Sequence, residues 1–342
     1  MGRKTVYNNI CTPELIAQIS DENKELMDGF LEYLHSLDRS PNTISGYQND
    51  LEIFFVWNVQ HNKNKFFIDF TKRDILKYQG YLLHELQHSS KRVRRLRSTI
   101  SSMSNYIEAM MDDLYPTFKN IVNKIPAPDD VPVREKTILT DEMIQPLLDH
   151  LVEKKKYQQA CALALALASG SRKSELLRFK THYFTDDNII FGSLYRTPEK
   201  IKTKGRSSRG KPLVKYTLVS KFKPYYDLWM EERKRLGIDI DDLFVVYRDG
   251  KWQTATVSLL DSWADTFSNF LGTVFYFHSC RHRFTTYLSE SGLPAEVIKN
   301  ISGWESIDMV SLYNDSSVED EFGKYFSKDR IKPAETKDLS DL

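Results

Sequence analysis

The stretch from His278 to Tyr313, HSCRHRFTTYLSESGLPAEVIKNISGWESIDMVSLY, constrains the chain most. His278 and Arg281 are three apart, so a helix places them on one face. Phe284, Tyr287 and Leu288 follow at helical spacing and give that helix a side to bury. Gly292 ends it. Pro294 suits the first turn of a second helix whose inner stripe is Val297, Ile298 and Ile301. Gly303 is placed to end that one, and Trp304 follows. A third short helix puts Ile307, Val310 and Tyr313 on one side. Three short helices with two tight corners bring a guanidinium, an imidazole, an indole N–H and a phenol into one neighbourhood. Any one of these side chains on such helices would be ordinary packing. Together they suit attack on a phosphodiester.

A second stretch supports that reading. Downstream of Ala162 the chain reads ALALALASGSRKSELLRF: an apolar helix that ends at Ser169-Gly170, then a new turn carrying Arg172 and Glu175. SGSRKSELL resembles the first-arginine box of the tyrosine recombinase (phage integrase) family, written TGLRxSEL. HSCRHRFTTYL resembles the family's HxLRHTFAT box, and SGWESIDMVSLY its LGHxSIxxTxxY box. The resemblance spans residues 27–330, strongest in these boxes. Trp304 stands where most members carry a second histidine, as it does in the Cre recombinase. Ser171 and Cys280 replace leucines of the motifs and read as packing changes.

The resemblance implies both a fold and a chemistry. The fold is mostly α with a small β-sheet. An N-terminal helical core-binding domain and a C-terminal mixed α/β catalytic domain would form a clamp on DNA. The chemistry is cutting and rejoining of DNA through a 3′-phosphotyrosine at Tyr313. Arg172 and Arg281 would hold the non-bridging oxygens, because a guanidinium fork matches two phosphate oxygens and stays charged. His278 would take or steer the phenolic proton, Trp304 would donate one N–H, and Glu175 would orient an arginine or the lysine loop. The family places an essential lysine in a β-hairpin between the first two boxes; Lys204 is the choice and Lys202 the close alternative. The scheme needs no metal and no cofactor, since side-chain cations supply the charge. Four protomers would act on two sites through a Holliday junction, with accessory DNA-bending proteins possible partners. The rivals are a type IB topoisomerase and a catalytically inactive DNA-binding relative.

Composition sets limits. The chain has 342 residues and a formal net charge of +1, so bulk charge does not point to nucleic acid. The distribution does: eight basic residues lie between Lys72 and Arg97 against Asp74 and Glu85, and eight between Arg196 and Lys215 against Glu199. Concentrated segments can neutralise DNA phosphates locally. No apolar stretch approaches the ~20 residues of a membrane span. Cys11, Cys161 and Cys280 are far apart, lack metal spacing and suit a reducing cytoplasm.

Residues 1–25 read as an N-terminal extension without clear periodicity. Residues 26–123 read as a helical bundle. Ser40-Pro41 caps one helix and Thr71 another. A third, from about Ser90, turns Val93, Leu96, Ile100, Met103 and Ile107 inward. Its first turns carry Lys91, Arg92, Arg94, Arg95 and Arg97, expected on DNA with Lys202 and Arg206. Residues 124–136, KIPAPDDVPVREK, read as a linker. The catalytic domain would be 137–342, with strands near 188–194 and 213–219. Within the tail 316–342, Val318, Phe322, Tyr325 and Phe326 have helical spacing and suit docking on a neighbouring protomer.

Overall fold

The computed structural model describes residues 10–129, 137–203 and 210–314, with positions 7, 205, 326–327 and 330–331. The chain divides into two compact units, one of residues 1–135 with 205–210, the other of residues 136–204 and 211–342.

In the first unit the helices are α1 (Pro13–Ala17), α2 (Asp21–Ser36), α3 (Pro41–His61), α4 (Lys72–Gly80, continued by a π turn over Tyr81–Glu85) and α5 (Ser90–Met110). The starts follow local chemistry. Ser40 Oγ accepts from the Thr43 N–H, and Pro41 occupies the first helical turn. At Thr71 the Asp74 carboxylate accepts from the Thr71 N–H at 2.8 Å, closing a capping box. Phe54, Phe55, Trp57, Phe67, Phe70 and Tyr78 form the aromatic centre of the core. The inward stripe of α5, Val93, Leu96, Ile100, Met103 and Ile107, is fully buried as its spacing predicts.

Residues 10–25 correct one expectation. They do not read as an extension in three dimensions: α1 and the start of α2 lie there, and Ile10, Cys11 and Ile19 are buried in the same core. The stretch looks aperiodic because α1 is a single turn, too short to show a stripe.

The second unit is built around α7 (Tyr157–Ser169), whose ALALALA run is apolar on every side and buried almost throughout. A helix hydrophobic all round must be covered all round. It packs against α6 (Asp141–Glu153), α9 (Val219–Arg235) and α11 (Phe277–Glu290). Between α7 and α9 come α8 (Lys173–Leu176) and five short strands: β1 (Ile189–Ile190), β2 (Leu194–Arg196), β3 (Ile201–Thr203), β4 (Lys211–Leu213) and β5 (Tyr216–Leu218). β1-β2-β5 form one antiparallel sheet and β3-β4 another. The expected strand 188–194 is instead a tight turn inside a sheet, with Phe191 and Gly192 at positive φ.

The β6–β7 hairpin (Val245–Arg248, Lys251–Thr254) adds to the strands expected. Its two-residue turn is Asp249-Gly250, both at positive φ, the dipeptide that favours such turns. α10 (Val257–Leu271), α11, α12 (Ala295–Ser302) and α13 (Asp308–Tyr313) complete the unit. The helix expected across 318–326 lies outside the described residues. The exception is Phe326, which sits in β8 (Phe326–Ser327) and pairs with Ile331 of β9 (Arg330–Ile331).

Candidate active site

The site forms where α7 ends, α11 begins and α13 ends. Gly170 closes α7 in the left-handed conformation at φ 55°. A Cβ there would stand 2.4 Å from Phe284 of α11, so only glycine allows α7 and α11 this approach. Gly303 closes α12 likewise, and its missing Cβ leaves room for Leu213 of β4, which would otherwise be 2.5 Å away. These glycines seat the two arginine segments and the hairpin against one another.

Arg281 is 0 % exposed. Its Nη1 donates to the Gly170 carbonyl at 2.7 Å and its Nη2 to the Ser302 carbonyl at 3.0 Å. One guanidinium therefore ties the ends of α7 and α12 together. Among the described residues its Nε–H has no hydrogen-bond acceptor. Burial and the neighbouring Arg172 push its pKa down to about 10, so it remains a cation at neutral pH.

Arg172 begins α8 two residues after Gly170. Its side chain is 28 % exposed, and Nη1 donates to Glu175 Oε1 at 2.9 Å. Glu175 is fully buried and also accepts from the Arg172 backbone N–H at 3.2 Å. The expected orienting role of Glu175 thus has a direct geometric counterpart. Burial works to raise the Glu175 pKa, but Lys215 and Arg172 outweigh it and hold the carboxylate below its ordinary range.

Tyr313, 9 % exposed, ends α13 with its Oη 2.9 Å from His278 Nε2. Its ring stacks on His282 at 4.4 Å and leans on Trp304 at 4.9 Å. The Arg281 guanidinium lies 4.7 Å from the Trp304 ring and 5.7 Å from the Tyr313 ring, within cation–π range of both. Trp304 is buried, and among the described residues its indole N–H has no acceptor. Two buried donors without acceptors, on Arg281 and Trp304, are costly unless something arrives to accept from them. An anion would. Among the described residues no cluster of His, Cys, Asp and Glu is placed to hold a metal ion. Nor is any helix there long and apolar enough to cross a membrane.

Arg172, Glu175, His278, Arg281, Trp304 and Tyr313 are thus brought together in one chain. Lys204 and Arg206 lie outside the described residues. Lys202, in β3, is exposed, and its carbonyl accepts from Arg178. A lysine not singled out from the sequence does reach the site: Lys215, 2 % exposed, has Nζ 2.8 Å from Glu175 Oε2. Apolar–polar alternation over 214–218 points Lys215 and Thr217 outward, yet both are buried while Val214 and Tyr216 are only partly so, and the pattern therefore hid it. The substituted motif positions Ser171 and Cys280 are both buried, and Ser171 Oγ is 2.9 Å from Ser169 Oγ.

In the first unit, Lys91, Arg94 and Arg95 are exposed on α5 and Arg92 partly so. Arg92 and Arg95 share the buried Asp50 at 2.9 and 3.0 Å, and Arg94 Nη1 donates to the Pro128 carbonyl. Arg97 faces the other way and leaves the expected DNA-facing set. It is 5 % exposed, and it donates to the carbonyls of Val122, Ile125 and Pro126 and to Gln79. Helical spacing explains the difference: position 97 falls on the stripe of Val93, Leu96 and Ile100. Arg97→Ala should therefore strand three carbonyls and cost about 2–3 kcal/mol in urea unfolding. Arg94→Ala should leave unfolding within about 0.5 kcal/mol.

Comparison with known proteins agrees with this architecture. The chain is 29% identical over 287 residues to the SPbeta prophage-derived recombinase-like protein YomM of Bacillus subtilis (strain 168), with 82% of each chain covered. It is 25% identical to the tyrosine recombinase XerC of Halalkalibacterium halodurans, over 91% of this chain and 96% of that one. Among solved structures, the Tn1549 transposon integrase in complex with circular intermediate DNA matches at a TM-score of 0.62. Its identity is 17%, over 88% of this chain and 99% of that one. The lambda integrase dimer bound to a COC′ core site also gives 0.62, at 15% identity over 90% and 99%. The model of the phage integrase family matches residues 137–320, more than half of the chain, and the chain belongs to that family.

Proposed function

We propose that this protein is a site-specific DNA recombinase that breaks and rejoins DNA through a covalent bond at Tyr313. The observation that carries the reading is the pairing of a phenol with an imidazole beside a buried cationic pocket that still has unused donors. A tyrosine hydroxyl is a weak nucleophile until a base takes its proton. With Nε2 free of hydrogen, His278 accepts that proton across the 2.9 Å contact. The Tyr313 oxygen then bonds to phosphorus, and the 5′-oxygen leaves carrying a proton. The lysine loop around Lys204 and Lys202 is the proposed donor of that proton. Arg172, Arg281 and Trp304 meet the charge that grows on the non-bridging oxygens. The phosphotyrosine conserves bond energy, so a 5′-hydroxyl from a second strand can reverse the step, passing through a Holliday junction.

The names of the relatives fit this class: a prophage recombinase-like protein, tyrosine recombinases, and integrases solved with DNA. Double-stranded DNA carrying a recombination site is the proposed substrate, and four copies the proposed working assembly. Lys91, Arg92, Arg94 and Arg95 are the proposed phosphate contacts of the first unit, with Lys202 of the second and Arg206, which lies outside the described residues. The relatives are bacterial and prophage proteins, which suits work on DNA in a bacterial cytoplasm.

The test begins with a duplex enriched from a random library by binding to this protein. The enriched duplex is then nicked so that the short 5′-hydroxyl fragment escapes after cleavage. In EDTA the protein should form a denaturation-resistant adduct, with DNA mapped to the peptide containing Tyr313. No adduct at any nick position, or an adduct on another residue, would overturn the proposal.

A further inference from the structure

We propose that Lys215 is a positioning residue of this site: by sharing Glu175 with Arg172, it keeps the Arg172 guanidinium available to phosphate. The proposal rests on the recombinase reading above. Three facts support it. First, the Glu175 carboxylate divides its two oxygens, Oε1 toward Arg172 Nη1 at 2.9 Å and Oε2 toward Lys215 Nζ at 2.8 Å. Second, both Glu175 and Lys215 are buried, at 0 % and 2 % side-chain exposure, whereas Arg172 keeps 28 %. The pair is the inner part of the site and the arginine its reachable edge. Third, Lys215 is pinned through its backbone. Its N–H donates to Thr197 Oγ1 at 3.0 Å, and its carbonyl accepts from the Thr197 N–H at 3.0 Å.

The charge balance explains why a lysine is useful there. With both ion pairs of Glu175 formed, Arg172, Arg281 and Lys215 bring three positive charges against its one negative charge, a net of two. A phosphodiester has about one negative charge and its pentacoordinate transition state about two, so the site suits the transition state better than the ground state. Without Lys215 the carboxylate would draw fully on Arg172, and the net would fall to one. The Lys215 ammonium approaches Glu175 off the directions of a well-formed hydrogen bond, so its contribution is chiefly one of charge. Burial lowers its pKa, and the Glu175 carboxylate resists that fall.

The experiment compares Lys215→Met, Glu175→Gln and the double variant, using the nicked duplex enriched by the wild-type protein. Lys215→Met should cut adduct formation about 100-fold, the scale of losing one preorganised electrostatic group, with duplex affinity within about threefold. Adding Glu175→Gln to Lys215→Met should recover about tenfold, because removing both partners of a buried pair leaves no lone charge to capture Arg172. A double variant no faster than Lys215→Met would overturn the proposal. So would rescue of Lys215→Met by a substrate whose 5′-bridging oxygen is sulfur. Sulfur leaves without a proton, so that result would make Lys215 a proton donor instead. If Lys215→Met does not fold, the comparison falls to Glu175→Gln, which leaves the Lys215 ammonium without a counter-charge but frees Arg172, and to the double variant, which isolates no charge. They should cleave within about threefold of each other; a double variant far slower than Glu175→Gln overturns the proposal. Failure of the wild-type protein to form any adduct would count against the recombinase reading and not against the role of Lys215 within it.

Discussion

Arg281→Lys should lower the rate of adduct formation by about 10³-fold and destabilise the second unit by about 2–4 kcal/mol. The substitution keeps the positive charge, so the loss isolates what the fork does. Arg281 donates to the carbonyls of Gly170 and Ser302 with two different nitrogens and still has an Nε–H without an acceptor. A lysine has a single nitrogen at the end of a flexible stem. It cannot hold the end of α7, hold the end of α12 and present a donor to phosphate at once. If it bonds one carbonyl, the other is buried without a partner. Single-turnover adduct formation on the nicked duplex reads the first effect, and urea unfolding followed by tryptophan fluorescence the second. An Arg281→Lys variant that cleaves within tenfold of wild type would remove the guanidinium from the proposed transition-state contacts. Loss of stability without loss of rate would make Arg281 a strut between helices and nothing more.

That double duty explains part of what the sequence reveals and what it hides. Residues whose chemistry is local are legible. Gly170, Gly303, Ser40-Pro41 and Thr71 announce corners and caps because turn geometry depends on the residue itself. The His278–Arg281 spacing is legible because a helix fixes it, and the Tyr313 helix follows within the same stretch. Arg281's acceptors are not legible. They are backbone carbonyls at positions 170 and 302, and any residue type supplies a carbonyl.

Lys215 and Arg97 show the same limit from opposite sides. Each lies in a basic segment, where charge suggests a solvated or DNA-facing surface. Each is buried, Arg97 because helical phase turns it inward, Lys215 against the outward direction that the alternation of its strand suggests. Charge density in a sequence says how much charge lies nearby. Which way it points decides between a phosphate contact and an internal clamp. Residues 10–25 were obscured by another cause: a single helical turn is too short for a stripe, and its burial is set by partners far along the chain.

Tyr313→Phe should abolish the adduct entirely while leaving the fold and the affinity for the enriched duplex within about threefold of wild type. The ring is what the structure uses for packing, through His282, Trp304 and the Arg281 guanidinium, and phenylalanine retains it. Only the hydroxyl is lost, with its one contact to His278, which should cost about 1 kcal/mol of stability. The contrast with Arg281→Lys is therefore sharp. One substitution removes a bond-forming atom and spares the scaffold, while the other weakens scaffold and transition state together. Gel shift under native conditions separates binding from chemistry, and denaturing electrophoresis of the same mixture reports the covalent bond. A phenylalanine variant that still produced a covalent band would mean that another side chain reaches phosphorus. The phenol–imidazole pair would then be packing. A variant that bound DNA poorly would mean that the hydroxyl serves recognition. Retained binding with no adduct is what a nucleophile leaves behind when its one reactive atom is taken away.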